Sequence, residues 1–361
     1  MNDTHQFDFN QAIEKLDKSN TIGSIEQLGD QIQHIWKLAQ EVHFDDSYKN
    51  IDKVVVAGMG GSALGTHVIQ TVFKDELKVP VIICSDYNLP NYVDEKTLVV
   101  ASSYSGNTEE TISAVKDGID KGAKITGITS GGKLALLLKE KNYPALIFEA
   151  KYNPSNSPRM ALGYSIFGQM SLFSQIGLLS ISKNDYEQVL KTIADLQMSL
   201  SRHVEQEKNP AKLLAFNFID HLPVITAAEH LEGAAHIFAN QINENSKTYS
   251  EFRVIPELNH HLMEGLQFPK SNNTNLLFFI IHSDLYLPSN QKRMDLTEQV
   301  LDKNDISYLN HKFTAPTKIT QAFELILFGS YTNYYLAILN NQDPTPIPWV
   351  DWFKKQLKIT A

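Results

Sequence analysis

Two short runs of apolar, mostly β-branched residues, Lys53-Val54-Val55-Val56-Ala57 and Thr97-Leu98-Val99-Val100-Ala101, constrain this chain more than any other feature. Neither alternates polar with apolar residues, so each reads as a strand buried on both faces, as in a parallel sheet covered by helices. Each runs at once into a loop of glycines or hydroxyls and then into helical spacing. After the first comes Gly58-Met59-Gly60-Gly61-Ser62, followed by Ala63, Thr66, Ile69 and Phe73. After the second comes Ser102-Ser103-Tyr104-Ser105-Gly106-Asn107-Thr108, followed by Ile112, Val115 and Ile119. A helix start leaves backbone N–H groups unpaired and carries the positive end of the macrodipole, so hydroxyls and amides there can converge on a phosphate oxygen. Taken alone, the second loop is equally an ordinary capping box. Two such loops at the carboxyl ends of strands favour a phosphate site, because ligand crevices of open α/β sheets lie there.

The same loops disfavour nucleotides. Gly58, Gly60 and Ala63 fit the loose dinucleotide pattern, yet the next strand ends in Cys84-Ser85-Asp86 without an acidic residue at the ~20-residue offset that motif needs. A Walker loop would end in Gly-Lys-Ser/Thr, and this one does not.

From 53 to 150 the pattern alternates, with strands at 53–57, 79–84, 97–102, 123–128 and 144–149 and helices at 62–74, 107–121 and 131–141. A second alternation places strands near 222–227, 250–255, 275–282 and 305–309, with helices near 229–243, 289–303, 319–340 and 346–357. The expected fold class is α/β: two doubly wound αβα sandwich subdomains with mostly parallel sheets. The expected division is a helical segment 1–48, a first domain 49–182 with the phosphate loops, a connecting helix within 183–210, and a second domain 211–361 with C-terminal helices. The second half lacks the glycine and serine loops, so it is expected to supply chemistry rather than phosphate binding.

Composition narrows the class. The chain has 361 residues, a net charge of −9 and no basic cluster, which argues against nucleic acid. Its single cysteine, Cys84, excludes disulfides within the chain and a cysteine-based zinc site, and points to a reducing, cytoplasmic compartment. Met1 to His5 shows no signal-peptide pattern. The uncharged runs Met160–Ser182 and Leu325–Gln342 carry Gln169, Gln175, Asn333, Asn340 and Asn341, and read as buried helices rather than membrane spans.

Polar residues gather at Asn243-Glu244-Asn245-Ser246-Lys247 and Pro256-Glu257-Leu258-Asn259-His260-His261. Adjacent histidines seldom chelate one ion and the His-x-x-x-His spacing is absent, so acid/base chemistry is the better use and no metal is expected.

Together, Gly-Met-Gly-Gly-Ser at 58–62, Ser-Tyr-Ser-Gly-Asn-Thr at 103–108, Pro158-Arg159, Asn-Glu-Asn at 243–245, Glu-Leu-Asn-His at 257–260 and a terminal helix with Lys354 resemble the bifunctional phosphoglucose/phosphomannose isomerases. These belong to the sugar-isomerase (SIS) domain superfamily. The resemblance implies a cofactor-free, metal-independent isomerase of hexose 6-phosphates. It implies phosphate contacts at Gly60, Gly61, Ser62, Ser103, Ser105 and Thr108. Glu244 is implied as the base between C1 and C2, Arg159 as the cation beside the enediolate, and His260 with Lys354 (rather than Lys355) as the ring-opening pair. It further implies a homodimer in which His260 comes from the partner. The chain departs from the pattern at His261, where asparagine is frequent, and either Thr345 or Ile347 takes the place of a threonine tied to epimer tolerance. An isomerase for another phosphosugar is one alternative, and a non-catalytic sugar-phosphate sensor is the other. The sensor would keep the phosphate loops without needing Glu244 and His260 together, although no helix-turn-helix segment is evident. The isomerase half of a glutamine amidotransferase would require an N-terminal cysteine, and the chain starts Met1-Asn2.

Overall fold

The computed structural model describes residues 7–360, so the opening Met1–His5 stretch lies outside the described residues. The first sheet is built from β1 (Lys53–Gly58), β2 (Val81–Cys84), β3 (Thr97–Ser102), β4 (Lys124–Thr129) and β5 (Ala145–Ile147), in the order β2-β1-β3-β4-β5. The second is built from β6 (Leu222–Ala228), β7 (Glu251–Ile255), β8 (Leu276–Ser283) and β9 (Ser307–Phe313), in the order β7-β6-β8-β9. Every adjacent pair is parallel, so both sheets are wholly parallel.

The unbroken apolar runs follow from burial on both faces. In β1 and β3, Val54, Val56, Leu98 and Val100 enter one hydrophobic core, while Val55, Ala57, Val99 and Ala101 enter another on the opposite face. The larger core continues without a break into the second sheet, through residues such as Phe238, Phe279 and Phe323. Where the helices Leu64–Val72 and Glu232–Gln241 cross, a Cβ on Gly233 would stand 2.5 Å from the His67 carbonyl oxygen. Only glycine permits that approach.

Both uncharged runs are internal helices. Leu162–Ile176 is almost wholly buried, and in Lys318–Leu339 every residue from Ile319 to Ile338 is buried except Glu324. The connecting helix ends at Leu200, carries a Ser182/Asp185 capping box and packs on Lys318–Leu339. The N-terminal helix Phe9–Leu16 does not sit with the first sheet that follows it in sequence. Phe9 packs edge-on against Phe216 and Tyr335 of the second half. Several elements escaped the sequence pattern, among them the helices Pro210–Asn217, Leu258–Gly265 and Asn272–Asn275, and a π-helical turn, Ile242–Ser246, that prolongs Glu232–Gln241. The terminal helix Pro348–Thr360 differs in another way. Its apolar residues are not packed away: Trp349 is 81% exposed, and Trp352, Phe353 and Leu357 are exposed too.

Candidate active site

The chain leaves β1 toward one edge of the first sheet and β3 toward the other, so the loops that follow them face each other across a crevice. Hydrogen bonds tie these loops together. Ser62 Oγ accepts from the Tyr104 N–H at 3.0 Å, and Ser102 Oγ donates to the Ser62 carbonyl at 2.7 Å. Gln169, from the uncharged helix Leu162–Ile176, donates to both the Ser62 carbonyl and Ser102 Oγ at 3.1 Å. Its own oxygen accepts from Thr66 Oγ1 at 2.7 Å. A residue that argued against a membrane span is therefore a buried brace of the loop.

The capping alternative for the second loop fails on geometry. Thr108 is the N-cap of Glu109–Asp120 but makes no side-chain capping bond; its hydroxyl lies 2.8 Å from that of Ser103. The helix Leu64–Val72 also starts without a side-chain cap. Two uncapped N-termini thus present N–H groups beside Ser62, Ser103 and Thr108, while Ser105 and Gly60 stand exposed at the rim. Gly106 is indispensable to this shape. It has φ +66°, and a Cβ there would come within 1.8 Å of the Gly131 carbonyl oxygen.

Arg159 reaches the crevice because Gly61 lacks a side chain: a Cβ there would lie 3.1 Å from the Arg159 backbone nitrogen. The guanidinium is 3% exposed, with Nε and Nη2 hydrogen-bonded and Nη1 turned to Glu244. Its Nη2 donates to the carbonyls of Pro344 and Thr345 at 2.8 and 2.7 Å, and its Nε donates to Asn245 Oδ1. A closed ring of hydrogen bonds holds it. Asn245 donates to Asn333 Oδ1 at 2.6 Å, Asn333 to Gln241 Oε1 at 3.0 Å, and Gln241 back to the Arg159 carbonyl at 3.0 Å. All three amides are buried and satisfied, which fixes the orientation of the cation. Burial pulls the Arg159 pKa below its ordinary value, opposed by Glu244, Asp351 and Asp343.

Glu244 sits in the π-helical turn, a conformation that often re-aims a functional side chain. Its Oε2 lies 3.6 Å from Arg159 Nη1, and about a third of the side chain is exposed. Burial raises its pKa above the usual carboxylate value, while Arg159, Lys247 and Lys354 pull it down. Lys247 closes the turn in a left-handed conformation, φ +54°. Its Nζ meets the carbonyls of Glu244 and Asn245 at 2.9 and 3.1 Å and those of Asp343 and Pro344 at 3.1 and 3.2 Å. It clamps the segment before the terminal helix onto the turn that carries Glu244. The sequence showed Lys247, Asn333, Gln241 and Gln169 only as polar residues. Their signal was an amide or ammonium within an apolar or turn-forming stretch.

Within one chain the structure gathers the phosphate loops, Arg159 and Glu244, with Lys354 near enough for its charge to act on Glu244. His260 is elsewhere. It is exposed on Leu258–Gly265, which packs on β7 and on the helix Pro288–Lys303, and none of its hydrogen bonds reaches Arg159 or Glu244. Of the two residues competing for the epimer position, Thr345 is the one joined to the site, through its carbonyl to Arg159 and its hydroxyl to Thr21 at 2.7 Å.

Residues 207–357 match the bacterial phospho-glucose isomerase C-terminal SIS domain. The bifunctional phosphoglucose/phosphomannose isomerase of Caldicellulosiruptor bescii is 37% identical over 340 residues, covering 92% of this chain and 98% of the relative. The chain belongs to the bifunctional phosphoglucose/phosphomannose isomerase family. Other members include the proteins of Thermoplasma volcanium, 30% identical over 90% of this chain and 98% of the relative, and Aquifex aeolicus, 27% identical over 91% and 100%. The same fold appears in a hypothetical protein from Thermus thermophilus, with TM-score 0.74 at 15% identity over 98% of this chain and 93% of that one. The C-terminal domain of glucosamine-fructose-6-phosphate aminotransferase from Francisella tularensis shares it too, with TM-score 0.72 at 12% identity over 91% and 98%. Among the described residues no helix is long and apolar enough to cross a membrane.

Proposed function

We propose that the protein interconverts glucose 6-phosphate and mannose 6-phosphate with fructose 6-phosphate, through a cis-enediol and without metal or cofactor. The observation that carries this reading is the placing of a buried, rigidly held Arg159 between the phosphate loops and Glu244. The substrate phosphate is held by Ser62, Ser103, Ser105 and Thr108 and by the N–H groups around Gly60 and Gly61. Glu244 removes a proton from one of C1 and C2 and returns it to the other. One carboxylate serves both carbons because they are adjacent on one face of a planar enediol. Arg159 faces the oxygen that gains charge, and its ring of amides means that it need not reorganise as the charge develops. His260 and Lys354 transfer the protons that open the sugar ring.

The active unit in this reading is a cytoplasmic homodimer in which each site borrows the partner's His260. Two facts support it: His260 makes no hydrogen bond or ion pair to its own chain's Glu244 or Arg159, and the terminal helix shows an apolar face of Trp349, Trp352 and Phe353 to solvent. A coupled assay of fructose 6-phosphate in chelator, following both aldose products, tests the reaction. Both products are expected; bound but unreacted sugar phosphate would leave only a sensor. Subunit mixing tests the dimer. Glu244→Gln and His260→Ala proteins, each inactive, should recover about a quarter of wild-type activity when re-associated, since each mixed dimer holds one intact site. No recovery would place His260 in its own chain's site.

A further inference from the structure

A second cavity, of about 790 Å³, opens between the helix Leu64–Val72 and the carboxyl edge of the second sheet, away from Arg159 and Glu244. Its polar lining is unusual in how much of it is unused. His230 is 1% exposed, and its Nε2 lies 2.8 Å from Gln321 Oε1, an oxygen that also accepts from Ser283 Oγ at 2.6 Å. Nε2 therefore carries the ring proton, and Nδ1 is left as a bare acceptor; it has no partner. Burial keeps this ring neutral. Glu232, half-buried in the same wall, makes no hydrogen bond or ion pair among the described residues. One turn along the same helix from Glu232, His236 stands at 4.4 Å, ring centroid to ring centroid, from His67 of Leu64–Val72, and stacks on Phe252 at 4.3 Å. Burial holds both histidines neutral, His67 down to about 4.

Charge decides what such a cavity accepts. Lys318 is paired with Asp75 at 2.7 Å, and Glu229 Oε1 is taken by the Leu287 N–H and Asn290 Nδ2 at 2.8 and 2.7 Å. That leaves Glu232 with only the exposed Lys74 for a counter-charge. Three carboxylates face two lysines and three neutral imidazoles; His230 Nδ1 is sealed from the cavity, and the one accessible carboxylate without a partner, Glu232, calls for N–H or O–H donors. The stacked His236–Phe252 pair offers a flat wall to a carbon skeleton or an ammonium group. We infer that this cavity is a second ligand site and that it takes a small hydroxylated amine rather than a phosphorylated molecule. It stands apart from the isomerase site and does not rest on that site's assignment.

Calorimetric titration of the full-length protein with glucosamine, in the presence of saturating fructose 6-phosphate, tests it. One equivalent of glucosamine per chain is expected, with glucose bound at least about tenfold more weakly because it lacks the charge-assisted bond. Glu232→Gln should lower glucosamine affinity by a similar factor, and Lys74→Ala, at an exposed position, should raise it; neither should alter isomerase kinetics. No binding of glucosamine, or binding that is the same for glucose and in Glu232→Gln, overturns the inference. So does inorganic phosphate binding that Lys74→Ala abolishes.

Discussion

The two sheets present the same crevice with opposite contents. In the first, the loops after β1 and β3 carry glycine and serine, and the helices they start have no side-chain caps. In the second, the corresponding loops follow β6 and β8. There the residue after the strand is Glu229, held at φ +49°, and its carboxylate accepts the Leu287 N–H and the Asn290 amide at the start of the helix Pro288–Lys303. Ala228 N–H is taken by the Tyr286 hydroxyl at 3.3 Å. An anion built into the chain thus occupies the place where the first sheet leaves room for a dissolved one. The repeat kept its electrostatic preference and changed who satisfies it.

The largest expected effect separates chemistry from binding in the first crevice. Glu244→Gln should lower kcat by roughly 10²–10⁴-fold while leaving sugar-phosphate affinity nearly unchanged, as initial rates and equilibrium dialysis would show. Normal turnover would remove Glu244 as the base. Next, Ser103→Ala combined with Thr108→Ala should raise KM by at least about tenfold. Because neither hydroxyl caps the helix, urea unfolding should shift by less than ~1 kcal/mol. The reverse result, lost stability with intact KM, would make the first crevice as self-contained as the second. Glu229→Ala sharpens the contrast from the other side. It strips an acceptor from two donors and should cost about 1–2 kcal/mol of stability, with kcat and KM unchanged.

The smallest effect is in pH dependence. Glu244 must be ionised to act, and burial raises its folded pKa, so the acid limb of kcat/KM should fall above the ordinary glutamate range. Lys247 lowers that pKa, so Lys247→Met should move the limb further toward neutral pH. The same shift has a stability sign. A folded pKa above the unfolded one means that ionised Glu244 weakens the fold as pH rises past the unfolded value. Glu244→Gln should therefore melt no lower than wild type at neutral pH, and its advantage should vanish in acid. A melting temperature that fell at neutral pH would contradict the raised pKa.

Much of the architecture was legible in the sequence because parallel strands buried on both faces must be continuously apolar, and Val54–Ala57 and Leu98–Ala101 are. The helices after them were legible by period. The helix Leu258–Gly265 was harder to read, since its stripe of Leu258, Leu262 and Met263 is short and lies among polar residues, and only Leu258 is fully buried. The π-helical turn was equally hidden: nothing in Ile242–Ser246 announces one extra residue per turn, which is fixed by Lys247 and Asn245 reaching distant carbonyl and amide partners. The terminal helix was legible as a helix, but not the fact that Trp349, Trp352 and Phe353 on its apolar face stay largely exposed.

By itself the sequence determined the parallel α/β plan, the position of the phosphate loops and the residue types available for proton transfer. These depend on local rules: side-chain period, glycine at positive φ, and the unpaired N–H groups of a helix start. Only the tertiary structure decided that Arg159 and Glu244 meet, that buried amides more than eighty residues from Arg159 in sequence close a ring around it, and that the helix-start donors left free in one crevice are taken in its repeat by the Glu229 carboxylate. Those facts rest on contacts between residues far apart in the chain. Such contacts are set by how whole elements pack, and no local pattern encodes them.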